Sequence, residues 1–365
     1  MRILHVLPTR NMEYGGPIAV AESMAEEGAR QGLKCAIYPP LYNEAEAIGL
    51  IALCRAVSRA DVVHIHGLWN LNAAIAGGIA RSQGVPYIIT PHGMLDRWAR
   101  ARSRFKKLVY GYLIERRNLR QAARIHFLNV EECAEAQSLG EPLKTFVLPN
   151  GVFADRFDSL PPKTTLSKSY PELEGKVVVL FLGRLHPKKG FDLLFPAFAK
   201  ALVTCPQLHL LLAGPDQEGY KALLEAQVHA IGLQAHVTFL GMVSGERKLE
   251  ALSSADFFVL PSHQEGDSIA VKEAMACRLP VLITPACHFP EVHDAGAGLV
   301  VPPDVKSWQN ALILLYSDLD IRALMAGKAS DMVRAQYTWQ KVVYQLIDEY
   351  RRISALSQGV GGADA

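Results

Sequence analysis

The sequence predicts an α/β protein with two similar halves, each built around a parallel sheet. Short apolar runs alternate with stretches of helical periodicity along the chain, which is typical of parallel sheets covered by helices on both faces. The composition changes at residues 158–175, where Pro, Ser, Thr and Lys are frequent and a linker is expected. The chain has 365 residues, half of them hydrophobic, which is enough for two packed domains.

The first half, residues 1–160, begins with an apolar strand at Arg2–Leu7 that leads into a Gly15-Gly16 loop. Pro17 suits the first helical position, and residues 18–30 then follow a helical pattern. Ligands of parallel sheets bind at the carboxyl ends of the strands, so the loops after these strands are candidate sites. The further strands predicted in this half are Leu33–Tyr38, Val62–Ile65, Tyr87–Thr90, Arg124–Leu128 and Thr145–Leu148.

The second half, residues 165–337, repeats the alternation of strands and helices. A late amphipathic helix at 339–355 is predicted to fold back onto the first half. The strands predicted in the second half are Val177–Leu182, Leu208–Leu212, Val237–Leu240, Phe257–Leu260 and Val281–Thr284.

Charge and composition exclude several classes of protein. A formal net charge of +2 indicates no strongly charged partner such as nucleic acid. The six cysteines are scattered without a CxxC pair, so neither a disulfide framework nor a zinc site is indicated. The apolar N-terminus is too short for a signal peptide, and no apolar run approaches a membrane span. We therefore expect a soluble cytoplasmic protein.

Residues 263–280 are the most informative stretch, because they place two carboxylates at one strand-to-helix corner. Glu265 lies in the turn, where Gly266 gives the backbone room to bend, and Glu273 lies in a helix that begins near Ser268. Carboxylates bind hydroxyls and helix N-termini bind phosphates, so a sugar nucleotide fits this corner. A solvated loop with two surface glutamates is the alternative from this stretch alone.

A glycine-rich basic turn follows the first strand of the second half. Gly183 and Gly190 allow close backbone approach, and Arg184 and Lys189 supply positive charge at the end of a strand. Two cations that converge there would stabilise a diphosphate, most strongly as it becomes a leaving group. A solvated basic turn is the alternative.

Three histidines lie at strand ends of the first half. His92, in Thr-Pro-His-Gly, is on a loop and has either a functional or a capping role. His64 and His66 face the same side of a strand, and we expect one structural and one site-lining ring, because partners for a metal are not evident. Asp318-Leu-Asp320 has a form that divalent metals use, but it lies among helical residues, and coincidence is favoured. No metal site is predicted.

Residues 97–124 hold ten Lys or Arg against one acidic residue, with aromatic and aliphatic side chains interleaved. A basic amphipathic helix of this kind suits an anionic membrane surface. A solvated face against the domain core is the alternative, and nucleic acid is a weaker one.

Taken together, the motifs resemble those of the group 1, or family 4, retaining glycosyltransferases of the GT-B fold. Each motif alone is modest, but their shared order covers nearly the whole chain. The matching segments are the N-terminal strand with Gly15-Gly16, T-P-H-G at 90–93, L-P-N-G-V at 148–152, G-R-L-x-x-x-K-G at 183–190, A-G-P-D at 213–216, F-L-G at 239–241 and the E-x7-E element from Glu265 to Glu273.

The resemblance implies two Rossmann-like domains that face each other across a cleft, with a nucleotide-sugar donor held mainly by the second. It implies that Arg184 and Lys189 bind the diphosphate and that Glu273 binds the ribose. The resemblance assigns the hexose and its phosphate to Glu265, Gly266, Asp267, Ser268 and Ile269, and it assigns the remaining donor contacts to Gly15, Gly16, His92, Gly183, Gly214, Gly241 and Met242.

The expected reaction is retaining transfer of a glucose-like hexose from a UDP-sugar, with GDP-sugars close behind, to a growing and lipid-linked saccharide. His92, Glu265, Arg184 and Lys189 are the expected catalytic group, with no metal or other cofactor. Asp267-Ser268 departs from the family's Phe-Gly, which places an extra carboxylate near the expected donor. A nucleotide-sugar 2-epimerase, a glycogen or sucrose synthase relative and an inactive nucleotide-sugar-binding protein are the alternatives.

Overall fold

The computed structural model describes residues 1–9, 16–39, 49–95, 115–138, 140 and 142–360. The chain divides into two compact units. Unit 1 consists of Met1–Gly151 with Trp339–Ala365, and unit 2 of Val152–Thr338. Each unit contains a six-stranded parallel sheet flanked by helices, which confirms the predicted fold class. The composition had indicated a division near residue 160, whereas the units change at 151/152 and at 338/339.

The sheet of unit 1 has the order β2-β1-β3-β4-β5-β6, and every pairing is parallel. The chain adds β2 on one side of β1 and then continues with β3 on the other side, so the order reverses between β1 and β3. Such a reversal opens a crevice at the carboxyl ends of the two strands. The strands are β1 (Arg2–Val6), β2 (Lys34–Tyr38), β3 (Val62–His66), β4 (Tyr87–Thr90), β5 (Arg124–Phe127) and β6 (Thr145–Val147).

Two helices of unit 1 begin at asparagines whose side chains cap them. Asn70 accepts a hydrogen bond from the backbone N–H of Ala73, and Asn129 accepts one from that of Glu132. These caps satisfy N–H groups that have no partner within the helix, and thereby set where the helices begin. The helices before the domain change are α1 (Gly16–Arg30), α2 (Leu50–Ser58), α3 (Leu71–Ser82), α4 (Arg116–Gln121) and α5 (Val130–Gln137).

The sheet of unit 2 has the order β12-β11-β10-β7-β8-β9, again with every pairing parallel. Its order reverses between β7 and β10. The sequence analysis missed β12, which has only three residues and starts at a glycine. The strands are β7 (Val177–Leu182), β8 (Leu208–Ala213), β9 (Val237–Gly241), β10 (Phe257–Leu260), β11 (Val281–Ile283) and β12 (Gly298–Val300).

Helices cover the sheet of unit 2, and its core is formed by aliphatic and phenylalanine side chains of β7, β8 and β10. The helices are α6 (Phe191–Leu202), α7 (Tyr220–Ala230), α8 (Gly245–Ser254), α9 (Ile269–Ala276), α10 (Glu291–Asp294), α11 (Val305–Ser317) and α12 (Leu319–Gln336).

The prediction of a linker at 158–175 is wrong. Two short 3₁₀ helices, Leu166–Lys168 and Pro171–Leu173, lie in this segment. Leu166 and Leu173 are buried in the core of unit 2. The abundant Pro, Ser and Lys residues conceal these two apolar side chains, which attach the segment to the unit.

The final helix, α13 (Trp339–Val360), belongs to unit 1. Its buried side chains recur at the three- and four-residue spacing of one helix face, so this face forms part of the unit's core. The buried side chains are Trp339, Val342, Val343, Leu346, Ile347, Tyr350 and Ile353.

Most of the basic stretch 97–124 lies outside the described residues, which resume at Glu115. The helix α4 lies in the last part of this stretch and is anchored by Asn118. The side-chain oxygen of Asn118 accepts a hydrogen bond from Arg81, and its backbone oxygen accepts one from the Tyr87 hydroxyl. None of the helices in the described part of the chain combines the length and apolar composition needed to cross a bilayer.

We predict that Gly214→Ala destabilises unit 2 by about 2–4 kcal/mol, because strain and overlap act together. Gly214 has a φ of 144°, and a Cβ atom there would overlap the carbonyl oxygen of Gly183. Calorimetric unfolding measures the effect. The matched control is Gly327→Ala in α12, where a Cβ meets no atom, and a gain of about 0.5–1 kcal/mol is expected. Equal stabilities of the two variants would contradict the tight approach at Gly214.

Candidate active site

The first candidate site lies at the reversal between β7 and β10 in unit 2. The loop after β7 carries Gly183, Arg184 and Lys189, and the loop after β10 carries Glu265. Because β7 and β10 are adjacent and parallel, their carboxyl ends meet at one edge of the sheet. The topology therefore brings Lys189 and Glu265 together, although 76 positions separate them in the chain.

Backbone hydrogen bonds join successive loops along this edge. The N–H of Leu185 donates to Pro215 O at 2.9 Å, and that of Gly214 donates to Gly241 O at 2.7 Å. On the other side, the N–H of His263 donates to Lys188 O at 2.8 Å. The predicted residues Gly183 and Gly214 thus follow β7 and β8 directly, and Gly241 is the last residue of β9, with Met242 exposed after it.

Lys189 and Glu265 form a buried ion pair. Nζ of Lys189 donates to Oε1 of Glu265 at 2.5 Å, and the Ser262 hydroxyl donates to the same oxygen at 2.6 Å. Burial by itself raises the pKa of Glu265, but the Lys189 ammonium and these hydrogen bonds outweigh it, so the pKa lies below its usual value. Oε2 of Glu265 has no hydrogen-bond partner among the described residues, and a lysine ammonium has three N–H donors. Both groups therefore keep capacity for a ligand.

Two further predicted residues have side-chain partners that the sequence analysis did not find. Arg184 donates from Nη1 to Gln217 at 3.2 Å, and Lys248 of α8 donates to Glu273 of α9 at 2.6 Å. All four side chains are half-buried. The partners fix the direction of a cation and a carboxylate without enclosing either. No sequence motif marks Gln217 or Lys248, because only the packing of separate loops and helices brings them close.

Asp267 is paired with Lys272 inside unit 2. Lys272 is completely buried in α9, and its ammonium donates to Oδ1 of Asp267. The ammonium also lies 5.4 Å from the ring centroid of Phe289 and 5.2 Å from that of Tyr337. Burial lowers the pKa of Lys272 more than the Asp267 carboxylate raises it. The extra carboxylate noted in the sequence therefore has a cation of its own.

The helix α9 begins after Ser268, as the sequence analysis predicted. The Ser268 hydroxyl accepts a hydrogen bond from the backbone N–H of Val271 and caps the helix. Gly266 and Ile269, which flank this start, are partly exposed. A serine cap on a helix that starts at the strand reversal places the positive end of the helix dipole near Glu265 and Lys189.

A second cluster, of five histidines, lies in unit 1. One row runs from Tyr350 of α13 through His64, Thr90 and His126 to the backbone oxygen of Leu148, with spacings of 2.6, 2.7, 2.9 and 2.7 Å. Leu148 O only accepts, so His126 donates from Nε2 and accepts on Nδ1 from the Thr90 hydroxyl. Thr90 then accepts from Nε2 of His64, and Tyr350 donates to Nδ1 of His64. The position of every proton in this row therefore follows from Leu148 O, which can only accept.

The other row joins His5, His66 and His92. Nδ1 of His5 lies 3.0 Å from Nε2 of His66, and Nδ1 of His66 lies 3.0 Å from Nε2 of His92. His5 and His66 are buried, whereas His92 is half-buried and has a φ of 55°, which is rare for a non-glycine residue. Burial lowers the pKa of His5 to about 4 and, with a smaller effect of His126, that of His92 to about 3. All three rings are neutral at pH 7, since burial also lowers the pKa of His66 well below its usual value.

His5 is the partner that the sequence analysis did not find for His64 and His66. Ring nitrogens of these three residues lie within 4.8 Å of one another, which is a spacing that a metal ion accepts. Both nitrogens of His64 are already hydrogen-bonded, and those between His5 and His66 face each other. A metal would have to break these bonds, so the neutral hydrogen-bonded rows account for the cluster better.

Two further candidates from the sequence are Asp318-Leu-Asp320 and Gly15-Gly16. Asp318 of Asp318-Leu-Asp320 caps α12 by accepting a hydrogen bond from the N–H of Ile321, so this carboxylate has a structural role. Gly15 lies outside the described residues, and Gly16 is the first residue of α1.

We predict that Asp267→Asn destabilises unit 2 by about 3–5 kcal/mol, because it leaves a buried ammonium without its anion. Lys272→Met, which removes the ammonium from the same pair, should cost a similar amount. The double variant should cost clearly less than the sum of the two, since neither charge then remains unpaired. Calorimetric unfolding of the four proteins measures the coupling, and additive losses would contradict a pair that is essential to the unit.

We also predict that unit 1 loses stability as the pH falls from about 6.5 to about 4. The unfolded histidines bind protons below their usual pKa of about 6.5, whereas burial keeps the folded rings of His5 and His126 neutral down to about pH 4. Each such ring contributes up to about 1.4 kcal/mol per pH unit. Hydrogen exchange of unit 1 peptides, corrected for the intrinsic effect of pH, measures the slope.

The control for this prediction is His126→Gln, which removes one titrating ring. Its stability at neutral pH falls, but its dependence on pH should be shallower than that of the wild type. A slope that His126→Gln leaves unchanged would rule out His126 as a source of the acid sensitivity.

Comparison with known proteins identifies the family. The glycosyl transferase 4-like domain model matches residues 24–151, and the model for glycosyl transferases group 1 matches residues 162–332. The chain is 33% identical over 211 residues to a phosphatidyl-myo-inositol mannosyltransferase of Mycobacterium leprae, which covers 57% of this chain and 53% of that protein. It is 26% identical over 305 residues to an uncharacterized glycosyltransferase of Methanocaldococcus jannaschii, which covers 81% of this chain and 76% of that protein.

Solved structures agree in fold. Anabaena HepE in complex with UDP-glucose superposes with a TM-score of 0.79 at 18% identity, covering 96% of this chain and all of the other. Sucrose-phosphate synthase from Thermosynechococcus elongatus gives a TM-score of 0.77 at 18% identity, covering 98% of this chain and all of the other. Two family models that follow one another along most of the chain, together with this shared architecture, show that the protein belongs to the group 1, or family 4, glycosyltransferases of the GT-B fold.

Proposed function

We propose that the protein transfers a hexose from a UDP-sugar to a saccharide acceptor, with retention of configuration at the anomeric carbon and without a metal ion. The observation that carries this proposal is the buried Lys189–Glu265 pair at the strand reversal of unit 2. A cation for phosphate and a carboxylate for hydroxyls stand side by side there, which are the two groups that a sugar diphosphate requires.

Arg184 and Lys189 bind the donor diphosphate. In the reaction the bond from the anomeric carbon to the diphosphate oxygen breaks, and negative charge grows on the leaving oxygen. Two cations and the N-terminus of α9 meet this charge, which is the role that a divalent metal has in other enzymes. The protein backbone contacts the donor at close range at Gly183, Gly266, Ser268 and Ile269.

Retention follows from attack on the face that the leaving group occupies. The acceptor hydroxyl oxygen bonds to the anomeric carbon as the diphosphate departs, and the departing phosphate oxygen takes the hydroxyl proton. Glu265 binds a hexose hydroxyl through Oε2, Glu273 binds the ribose, and His92 hydrogen-bonds the donor sugar. Gly15, Gly16, Gly214, Gly241 and Met242 contact the rest of the donor, and the Asp267 backbone lies beside the hexose.

Relatives support both the donor and the acceptor class, at different levels. The structure of Anabaena HepE was solved with UDP-glucose, which supports UDP. A relative from Corynebacterium glutamicum, 30% identical over 203 residues, is a GDP-mannose-dependent mannosyltransferase that acts on a monoacylated phosphatidylinositol monomannoside, which makes GDP the competing nucleotide. Both that relative and the M. leprae mannosyltransferase act on lipids, which supports a lipid-linked acceptor and a role for the basic stretch 97–124 at the membrane surface.

We predict that UDP, at 100 times its dissociation constant, stabilises the wild-type protein against unfolding by about 2.7 kcal/mol. GDP and ADP at the same concentration should stabilise it less. Arg184→Ala and Glu273→Ala should lose this stabilisation. Calorimetric titration and thermal unfolding with the three nucleotides measure it. The matched control is Arg278→Ala, an exposed arginine just before β11 at the amino edge of the same sheet, which should bind UDP normally.

The outcomes separate the parts of the proposal. Stabilisation by GDP instead of UDP would overturn the assignment of UDP as the donor nucleotide but would leave the assignment of the binding site intact. Turnover of a UDP-hexose without an acceptor would indicate an epimerase, and an inverted product would exclude front-face attack. Undiminished turnover by His92→Ala would exclude His92 from the reaction. If no nucleotide binds, the protein does not act as a nucleotide-sugar glycosyltransferase.

A further inference from the structure

We propose that the row His5–His66–His92 holds His92 in the tautomer that carries its proton on Nδ1, so that His92 acts as a hydrogen-bond donor to its ligand. His5 and His66 are then positioning residues, which act only through His92. The proposal rests on the proposed function for the nature of the ligand, a donor sugar. The tautomer itself is a property of the protein without ligand.

Neutral rings restrict the row to two arrangements of protons. A neutral imidazole has one N–H donor and one bare nitrogen, and each of the two hydrogen bonds needs one of each. In the first arrangement His5 donates to His66 and His66 donates to His92, which leaves the proton of His92 on Nδ1. In the second, both bonds are reversed, and Nδ1 of His92 is bare. The state of His92 is therefore linked to that of His5 through His66.

The two ends of the row decide between these arrangements. His5, at the inner end, is 1% exposed, and its Nε2 makes no hydrogen bond with the residues that the structure describes. His92, at the outer end, is half-buried, and no described group bonds to its Nδ1. The second arrangement would place an N–H without a described partner at this nearly buried end, and orphaned N–H groups are rare in protein interiors. The first arrangement instead places the spare N–H at the exposed end.

The surroundings keep the row in place. The ring of His66 stacks between those of His64 and His92, with centroid separations of 4.5 and 5.3 Å. His64 is itself fixed by Tyr350 and Thr90, so its ring forms a rigid wall. On the other side of His92, the backbone N–H of Gly93 donates to Glu132 at 2.6 Å and anchors the loop. The ring of His92 is thus held by His66, and the backbone of its loop is held by Glu132.

This arrangement limits the chemistry of His92. Nε2 accepts the hydrogen bond from His66 and Nδ1 carries the proton, so no lone pair remains to take a proton from an acceptor hydroxyl. His92 can donate to an oxygen of the donor sugar but cannot serve as a general base. The departing phosphate is then the group that takes the hydroxyl proton, as in the proposed front-face reaction.

The test is NMR of the ring nitrogens in the full-length protein labelled with ¹⁵N-histidine, at pH 7 and without ligand. The signals of His92 are identified by their loss in His92→Gln. We expect a protonated Nδ1 and an unprotonated Nε2 for His92. The opposite tautomer, or an average of the two, would overturn the proposal.

Two variants test the role of His66. His66→Phe removes the donor to Nε2 of His92, so the Nδ1–H tautomer should be lost and kcat should fall about tenfold with unchanged affinity for the nucleotide. His64→Phe is the matched control, because His64 lies on the same strand and is equally buried but belongs to the other row. It should lower stability and leave the tautomer of His92 unchanged.

The outcomes remain distinct from those for the proposed function. An equal change of the His92 signals in His66→Phe and His64→Phe would mean general loosening and would overturn the relay. If His66→Phe does not fold, the wild-type tautomer and His5→Phe, which removes the inner donor, decide the matter by the same NMR signals. A wild-type protein that shows the expected tautomer but binds no nucleotide would overturn the proposed function alone.

Discussion

Parallel strands deliver all their carboxyl ends to one edge of a sheet, and the candidate sites depend on this constraint. In unit 2 the order of strands reverses between β7 and β10, so the loops that follow these strands are neighbours although they are far apart in the chain. The basic turn and the acidic turn therefore meet. Without the reversal, Lys189 would not reach Glu265. The same constraint in unit 1 places His5 of β1 beside His66 of β3.

The two candidate clusters bury polar side chains in two different ways. Unit 2 pairs opposite charges, Lys189 with Glu265 and Lys272 with Asp267, because a buried ion without a partner is costly. The histidine cluster of unit 1 instead carries no charge, and its neutral rings form rows of hydrogen bonds. The first solution places an opposite charge beside each buried ion. The second gives a rigid group that keeps one protonation state at neutral pH.

The departures from the family pattern are local and have structural partners. Asp267, where the resemblance had led us to expect Phe, is paired with Lys272 of α9, whose ammonium has two aromatic rings around it. The pair also brings the start of α9 close to the rings of Phe289 and Tyr337.

The sequence by itself determined the elements that depend on local chemistry. Apolar runs marked eleven of the twelve strands of the described residues, since a buried parallel strand is continuously apolar, and only β12 was too short to be visible. The sequence placed the start of α9 near Ser268, and the Ser268 side chain caps the helix that begins at Ile269. The order of the motifs along the chain was enough to indicate the family by resemblance, because the matching segments extend over nearly the whole chain.

Only the tertiary structure decided which of these residues meet. Gln217 and Lys248 became visible as partners of Arg184 and Glu273 once separate elements were packed. His5 looked like an ordinary strand residue until the strand order placed it against His66. The segment at 158–175 had a linker's composition, yet two buried leucines attach it to unit 2. Local pattern determines where strands and helices begin, whereas contacts between distant residues depend on strand order and burial, which the whole chain sets together.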